Sequence, residues 1–251
     1  MAAFDHVMVE IDGGVATITL NRPEKLNAFD RAMCEDVIGA LRQVTESTKV
    51  RTIVLTGTGR AFCAGADLSV LATDGESLVA AGKEIALLIR GARQPVLGAV
   101  NGAAAGGGAN LALACDYRIA AESAQIGQVF HKLGLGPDWG GAYFLPRLVP
   151  PSKALELIWS ARMVPASEAQ SLGLFDRVVP DARLMTEART LAAAWAAHPA
   201  LAVQRAKEGI YASLEHSLEE MLDWEIVQQR ELFATAEARE RLAAQAARRR
   251  G

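Results

Sequence analysis

Val7, Val9 and Ile11 alternate with Met8 and Glu10, and Asp12-Gly13-Gly14 then leads into Ala16-Thr17-Ile18-Thr19-Leu20. A two-residue period on either side of a glycine turn, where φ > 0 carries no steric penalty, predicts a β-hairpin. The period then changes. Met33, Val37, Ile38, Leu41 and Val44 fall on one face of a helix, with Asp30 placed to cap it. The unbroken run Thr52-Ile53-Val54-Leu55-Thr56 predicts a buried strand, residues 77–90 a second helix, and Pro95-Val96-Leu97-Gly98-Ala99-Val100 another strand. The last strand signal ends near Val179. Beyond Pro180 the pattern is helical over residues 184–198, 202–214 and 218–247.

Two stretches repeat one another. Val54-Leu55-Thr56-Gly57 leads through a loop to Ala64-Gly65-Ala66-Asp67-Leu68, and Ala99-Val100-Asn101-Gly102 leads to Gly106-Gly107-Gly108-Ala109-Asn110-Leu111. Each is a strand, a loop of small residues and a helix start. The pattern predicts an α/β core over residues 1–197 and a helical extension over 198–251 that serves packing or self-association.

Composition sharpens this picture. Of 251 residues, 47 are Ala and 22 Gly, against seven Phe, four Trp and three Tyr, so much of the interior must be built by close backbone approach. A chain of this length buries about 70–75% of its unfolded surface and needs no disulfide staple. Cys34, Cys63 and Cys115 are odd in number and lack CxxC spacing, which points to a reducing, cytoplasmic setting and away from a zinc site. Residues 1–10 carry two acids and no Lys or Arg, unlike a targeting segment. Residues 94–115 are uncharged and long enough to span a bilayer, but their five Gly, two Asn and one Pro among many Ala suit a protein interior. A net charge of −3 leaves no basic footprint for nucleic acid; the one basic cluster, Arg248 to Arg250, is read as a solvated tail.

Several chemistries are excluded by motif. Gly57-Thr-Gly59-Arg-Ala-Phe62 fails GxGxxG at its last position, neither glycine loop is a GxxxxGK[ST] cradle, there is no GxSxG, and the four His are scattered without metal-ligand spacing. What remains is a pair of side-chain-poor loops running into helix N-termini, whose unpaired N–H groups suit an oxyanion. The glycines would equally serve tight turns alone.

Arg60-Ala-Phe62-Cys-Ala-Gly65-Ala66-Asp67-Leu68, together with Asn101-Gly102-x3-Gly106-Gly107-Gly108-x2-Leu111-Ala-Leu-Ala-Cys115-Asp116, resembles the enoyl-CoA hydratase/isomerase (crotonase) superfamily. Asn21-Arg22-Pro23-Glu24-Lys25-Leu26-Asn27-Ala28 and Leu172-Gly173-Leu174-x2-Arg177-Val178-Val179 extend the likeness over about residues 5–210. The resemblance implies a spiral of ββα repeats with C-terminal helices that assemble homotrimers, often paired into hexamers. It implies an acyl-CoA thioester as substrate, with coenzyme A entering only as part of it and no separate cofactor or metal. The backbone N–H groups of Ala66 and Gly107 would hold the thioester oxygen. Lys25, Leu26, Ala64, Asp67 and Leu68 would hold the adenine and phosphate end.

The family's hydratases use two glutamates, and both are missing. The first position, three residues after the second glycine of Gly106-Gly107-Gly108, is Asn110; the second, in Gly127-Gln128-Val129-Phe130-His131, is Phe130. Neither side chain exchanges a proton near neutral pH. The segment Leu133-Gly-Leu135-Gly136-Pro137-Asp138-Trp139-Gly140-Gly141 instead resembles family isomerases that shift a double bond, and the ring-1,2-epoxyphenylacetyl-CoA isomerases, which carry Asp or Glu at the Asp138 position. On this reading Asp138 is the proton-transfer base of an acyl-CoA isomerase, although Pro-Asp-x-Gly is also good turn chemistry. Phe130, Trp139 and Phe144 would either raise its pKa by desolvation and line the acyl pocket, or be plain core. Other enolate chemistry (hydration, hydrolysis, dehalogenation) and an acyl-CoA-binding protein without activity are the alternatives.

Overall fold

The computed structural model describes residues 4–248, so Arg249 and Arg250 of the terminal basic cluster lie outside the described residues. The chain opens with the hairpin β1 (Val7–Asp12) and β2 (Val15–Leu20), followed by α1 (Arg31–Glu46). Asp30 caps α1 by accepting the Met33 N–H at 2.8 Å, and the helix buries Met33, Val37, Leu41 and Val44 against the sheet. The ββα order then recurs: β3 (Thr52–Gly57), β4 (Ala61–Cys63) and α2 (Leu68–Gly91), then β5 (Val96–Val100), β6 (Ala103–Ala105) and α3 (Gly107–Ala114). A third round has β7 (Tyr117–Ala121), β8 (Gln125–Gly127), a single-turn segment Val129–Leu133 and α4 (Gly141–Leu148).

The first strand of each round joins one sheet and the second joins another. The larger sheet has the order β1, β2, β3, β5, β7 and β10 (Arg177–Val179), parallel except for the hairpin; the smaller runs β4, β6, β8 and the two-residue β9 (Val164–Pro165). Two helices, α5 (Pro151–Ser160) and α6 (Ala166–Ser171), flank β9. This is the spiral of ββα repeats that the family resemblance implies, and the α/β core expected from the repeat. The uncharged segment 94–115 forms β5, β6 and α3, and every residue of α3 is buried. No helix among the described residues is long and apolar enough to cross a membrane.

The C-terminal helices are α7 (Leu184–Ala196), α8 (Ala200–Ala212), α9 (Leu218–Phe233) and α10 (Ala236–Arg248). Helix α8 is locked to the core by Lys207, whose ammonium meets Asp116 at 2.7 Å and donates to the Ile89 and Gln94 carbonyls, while the Tyr211 hydroxyl donates to Asp116 at 2.6 Å.

Three expectations need correction. The helix expected over 77–90 begins nine residues earlier, at Leu68, because Asp67 caps it through the Ser69 N–H; a kink at Asp74 interrupts the apolar spacing that marks a helix in sequence. The single helix expected over 218–247 is two helices, because Thr235 ends the first and its hydroxyl accepts the Ala238 N–H to start the second. The short strands β4 and β6 read as loops, since three small residues carry no period.

Candidate active site

The two glycine loops meet because β4 and β6 are parallel neighbours in near register, Ala61 opposite Ala103, and each runs directly into a helix. Gly65, at φ +93°, sits so close to the second loop that a Cβ there would stand 2.7 Å from the Ala105 carbonyl oxygen and 3.5 Å from the Gly107 nitrogen. Only glycine fits this approach.

The local hydrogen bonds aim the two amides. Phe29 donates to the Gly65 carbonyl at 2.7 Å and its own carbonyl accepts the Asp67 N–H at 2.8 Å, so Phe29 brackets Ala66 as in a parallel ladder. Ala66 therefore turns its N–H away from Phe29. Gly107 is the first residue of α3, where the backbone N–H has no partner within the helix. The N–H before it, on Gly106, is taken by the Gly127 carbonyl. Ala66 and Gly107 line one cavity of about 90 Å³, together with Ala64, Leu68, Phe130, Asp138 and Trp139.

Asp138 lies in the connection between β8 and α4, in a tightly held turn. Its carbonyl accepts the Gly141 N–H at 2.8 Å and the Asn110 side-chain amide at 2.8 Å. Trp139, the next residue, is in the left-handed region at φ +47°, a conformation that costs a non-glycine residue on the order of 1 kcal/mol. It is kept there by Nε1 donating to the Leu78 carbonyl at 3.1 Å and by ring packing on Phe29 at 4.3 Å. One oxygen of the Asp138 carboxylate, Oδ1, is buried without a hydrogen bond, and burial, only partly offset by the residue's own backbone N–H, pushes the carboxyl up to about 6. A carboxylate deprived of water and donors is a stronger base than one on the surface.

Seven of the ten residues singled out in the sequence thus share one cavity. The other three flank it. Lys25 closes the single turn Pro23–Lys25, and Leu26 accepts the Ala64 N–H at 3.0 Å. The Asp67 side chain caps α2 and pairs with Arg22 at 3.4 Å; its bond with Ser69 holds its pKa below the usual carboxylate range. Phe144 lies beyond Trp139, on an adjoining chamber.

One feature of the candidate site escaped the sequence reading. Asn110 is fully buried and forms a strut: its Nδ2 donates to the Asp138 carbonyl and its Oδ1 accepts from Gln128 Nε2 at 2.7 Å. The signal available was its departure from glutamate, but the partner lies 28 residues away in sequence.

The sequence profile of the enoyl-CoA hydratase/isomerase family matches residues 10–250. The chain belongs to the enoyl-CoA hydratase/isomerase family. It is 41% identical over 242 residues to a Rhodobacter capsulatus protein named "Probable enoyl-CoA hydratase", covering 95% of this chain and 93% of that one. It is 36% identical over 248 residues to the 1,2-epoxyphenylacetyl-CoA isomerase of Escherichia coli, covering 96% and 95%. The crystal structure of an enoyl-CoA hydratase from Bacillus anthracis superposes with a TM-score of 0.93 at 35% identity over 97% of both chains. Relatives in this family thus carry hydratase and isomerase names alike.

Proposed function

We propose that this family member is an acyl-CoA isomerase that moves a double bond, or rearranges a ring, in an enoyl-CoA thioester through an enolate. One observation carries the reading: Asp138 is the single titratable side chain among the residues lining the cavity that contains Ala66 and Gly107. Hydration in the family's two-glutamate manner needs two such groups, and the corresponding positions here are an amide engaged as a strut and a buried phenyl ring.

In the mechanism, ionised Asp138 takes a proton from C2 of a 3-enoyl thioester. The electron pair left on C2 delocalises onto the thioester oxygen, which the N–H groups of Ala66 and Gly107 stabilise. The same carboxyl then returns the proton to C4, and the double bond ends between C2 and C3 without net gain or loss of atoms. One oxyanion donor of this kind is worth about 2.7–4 kcal/mol in the transition state. Lys25, Leu26, Ala64, Asp67 and Leu68 carry the coenzyme A end of the substrate in this proposal. The assembly is a homotrimer or hexamer, with Leu218, Leu222, Ile226 and Phe233, exposed along α9, as part of the contact.

Incubation with 3-enoyl-CoA and 2-enoyl-CoA esters, followed by chromatography of both isomers and of the 3-hydroxyacyl product, tests the reading. Interconversion of the two enoyl esters that is lost in Asp138→Asn is the expected result. A 3-hydroxyacyl product would establish hydration instead, the activity named for several relatives. Binding without turnover would establish an acyl-CoA-binding protein.

A further inference from the structure

Asp138 and Trp139 line two cavities, not one. Beyond them, on the side away from the glycine loops, lies a chamber of about 460 Å³ whose other wall is α2. Val79, Lys83, Leu87 and Arg90 recur at helical spacing along that side; the first three are exposed, so the chamber opens to solvent here, and Arg90 is the partly buried member of the stripe. Asp138 and Trp139 stand between the two cavities, so an acyl chain whose thioester oxygen meets Ala66 and Gly107 would have to pass them to reach this space.

The chamber is apolar apart from a few groups, and their placement is uneven. Asp138 marks the near end. Tyr143 has its hydroxyl bonded to Glu215 at 3.2 Å. Lys83 and Arg90 stand on α2, and among the described residues neither has a carboxylate within 4.0 Å or a protein hydrogen-bond acceptor. Arg90 is nonetheless held in position. Its guanidinium carbon lies 3.1 Å from the centre of the Tyr211 ring and 5.5 Å from that of Phe144, and Tyr211 is fixed by its bond to Asp116. Asp116, to which Tyr211 is bonded, is already paired with Lys207 at 2.7 Å. A planar fork of donors clamped on aromatic rings, unpaired and facing a substrate-sized chamber, is preorganised for a carboxylate.

We propose that the acyl group of the substrate carries a second carboxylate at its far end, which Arg90 receives with help from Lys83, making the preferred substrates ω-carboxyacyl-CoA esters. The proposal rests on the thioester site assigned above and is tested by binding, so that it stands or falls apart from turnover. Isothermal titration with adipoyl-CoA and hexanoyl-CoA, unreactive esters of equal chain length, reads the ratio of their dissociation constants within each protein, so a general loss of affinity cancels. In the wild type adipoyl-CoA binds about ten-fold or more tightly, and added salt narrows the ratio. Arg90→Met brings the ratio close to one, Arg90→Lys retains part of it, and Lys83→Met, on the exposed face of α2, lowers it without touching the aromatic stack. Equal binding of the two esters by the wild type, or an unchanged ratio in Arg90→Met, overturns the proposal. Absence of double-bond migration in either unsaturated counterpart, with the binding preference intact, would instead overturn the isomerase reading alone.

Discussion

Replacing Asp138 by Asn should abolish turnover and stabilise the fold, and the size of the second effect follows from the site. Burial carries this carboxyl from an ordinary 3.8 to about 6, and Oδ1 has no hydrogen bond to offset the lost water. At about 1.4 kcal/mol per tenfold change in equilibrium, that displacement corresponds to about 3 kcal/mol against the ionised form. The side chain is only half-buried, and solvent screening reduces the expected net effect to about 1–2 kcal/mol. The sign is fixed by linkage. Below 3.8 the folded and unfolded chains both hold the proton and ionisation costs nothing. Between there and about pH 6 the unfolded chain releases it while the folded one does not, so native stability falls until the folded carboxyl also ionises. Asn has no such titration. Urea unfolding of wild type and Asp138→Asn at fixed protein concentration, from pH 4 upward, should show the variant gaining on the wild type up to about pH 6–7 and holding the gain beyond. Any constant offset from repacking the amide cancels in this slope. A difference independent of pH, or one that shrinks as pH rises, would refute the claim that Asp138 is held as a desolvated base.

Other outcomes follow from the same geometry. In the isomerase reading, kcat/KM should rise with pH and level off above about 6 as Asp138 ionises, measured with a 3-enoyl-CoA ester. Asn110→Ala removes the strut to the Asp138 carbonyl and leaves Gln128 Nε2 without its acceptor; it should cost about 1–3 kcal/mol in urea unfolding and lower kcat more than it changes KM. Gly108→Ala would set a Cβ 2.2 Å from the Cys63 carbonyl oxygen, where α3 crosses β4, and rigid backbone cannot yield; a loss of about 3 kcal/mol or more, or insoluble protein, is expected. Lys207→Met leaves Asp116 without its cation beneath α8 and should cost about 3–5 kcal/mol, seen as a lowered urea midpoint.

Much of this protein is written in local sequence. The hairpin, the Asp30 cap, the buried strands β3 and β5 and the strand–loop–helix repeat follow from periods of two or 3.6 and from glycine turns, because neighbours in sequence supply their hydrogen bonds and apolar faces; the spiral itself is implied only by the family resemblance. The candidate residues Ala66, Gly107 and Asp138 come from the family resemblance of their motifs; the residues alone give only that small residues at two helix starts suit an oxyanion. What sequence could not supply is whatever depends on elements distant along the chain. The parallel pairing of β4 with β6 brings the two loops within contact of each other, and neither three-residue strand has a period of its own. The pKa of Asp138 is decided by what surrounds it from α2, α3 and the Val129–Leu133 turn, and the Asn110 strut and the Arg90 stack join residues 28 and 121 positions apart. Desolvation and unpaired charge are properties of enclosed space, and only the folded chain encloses it.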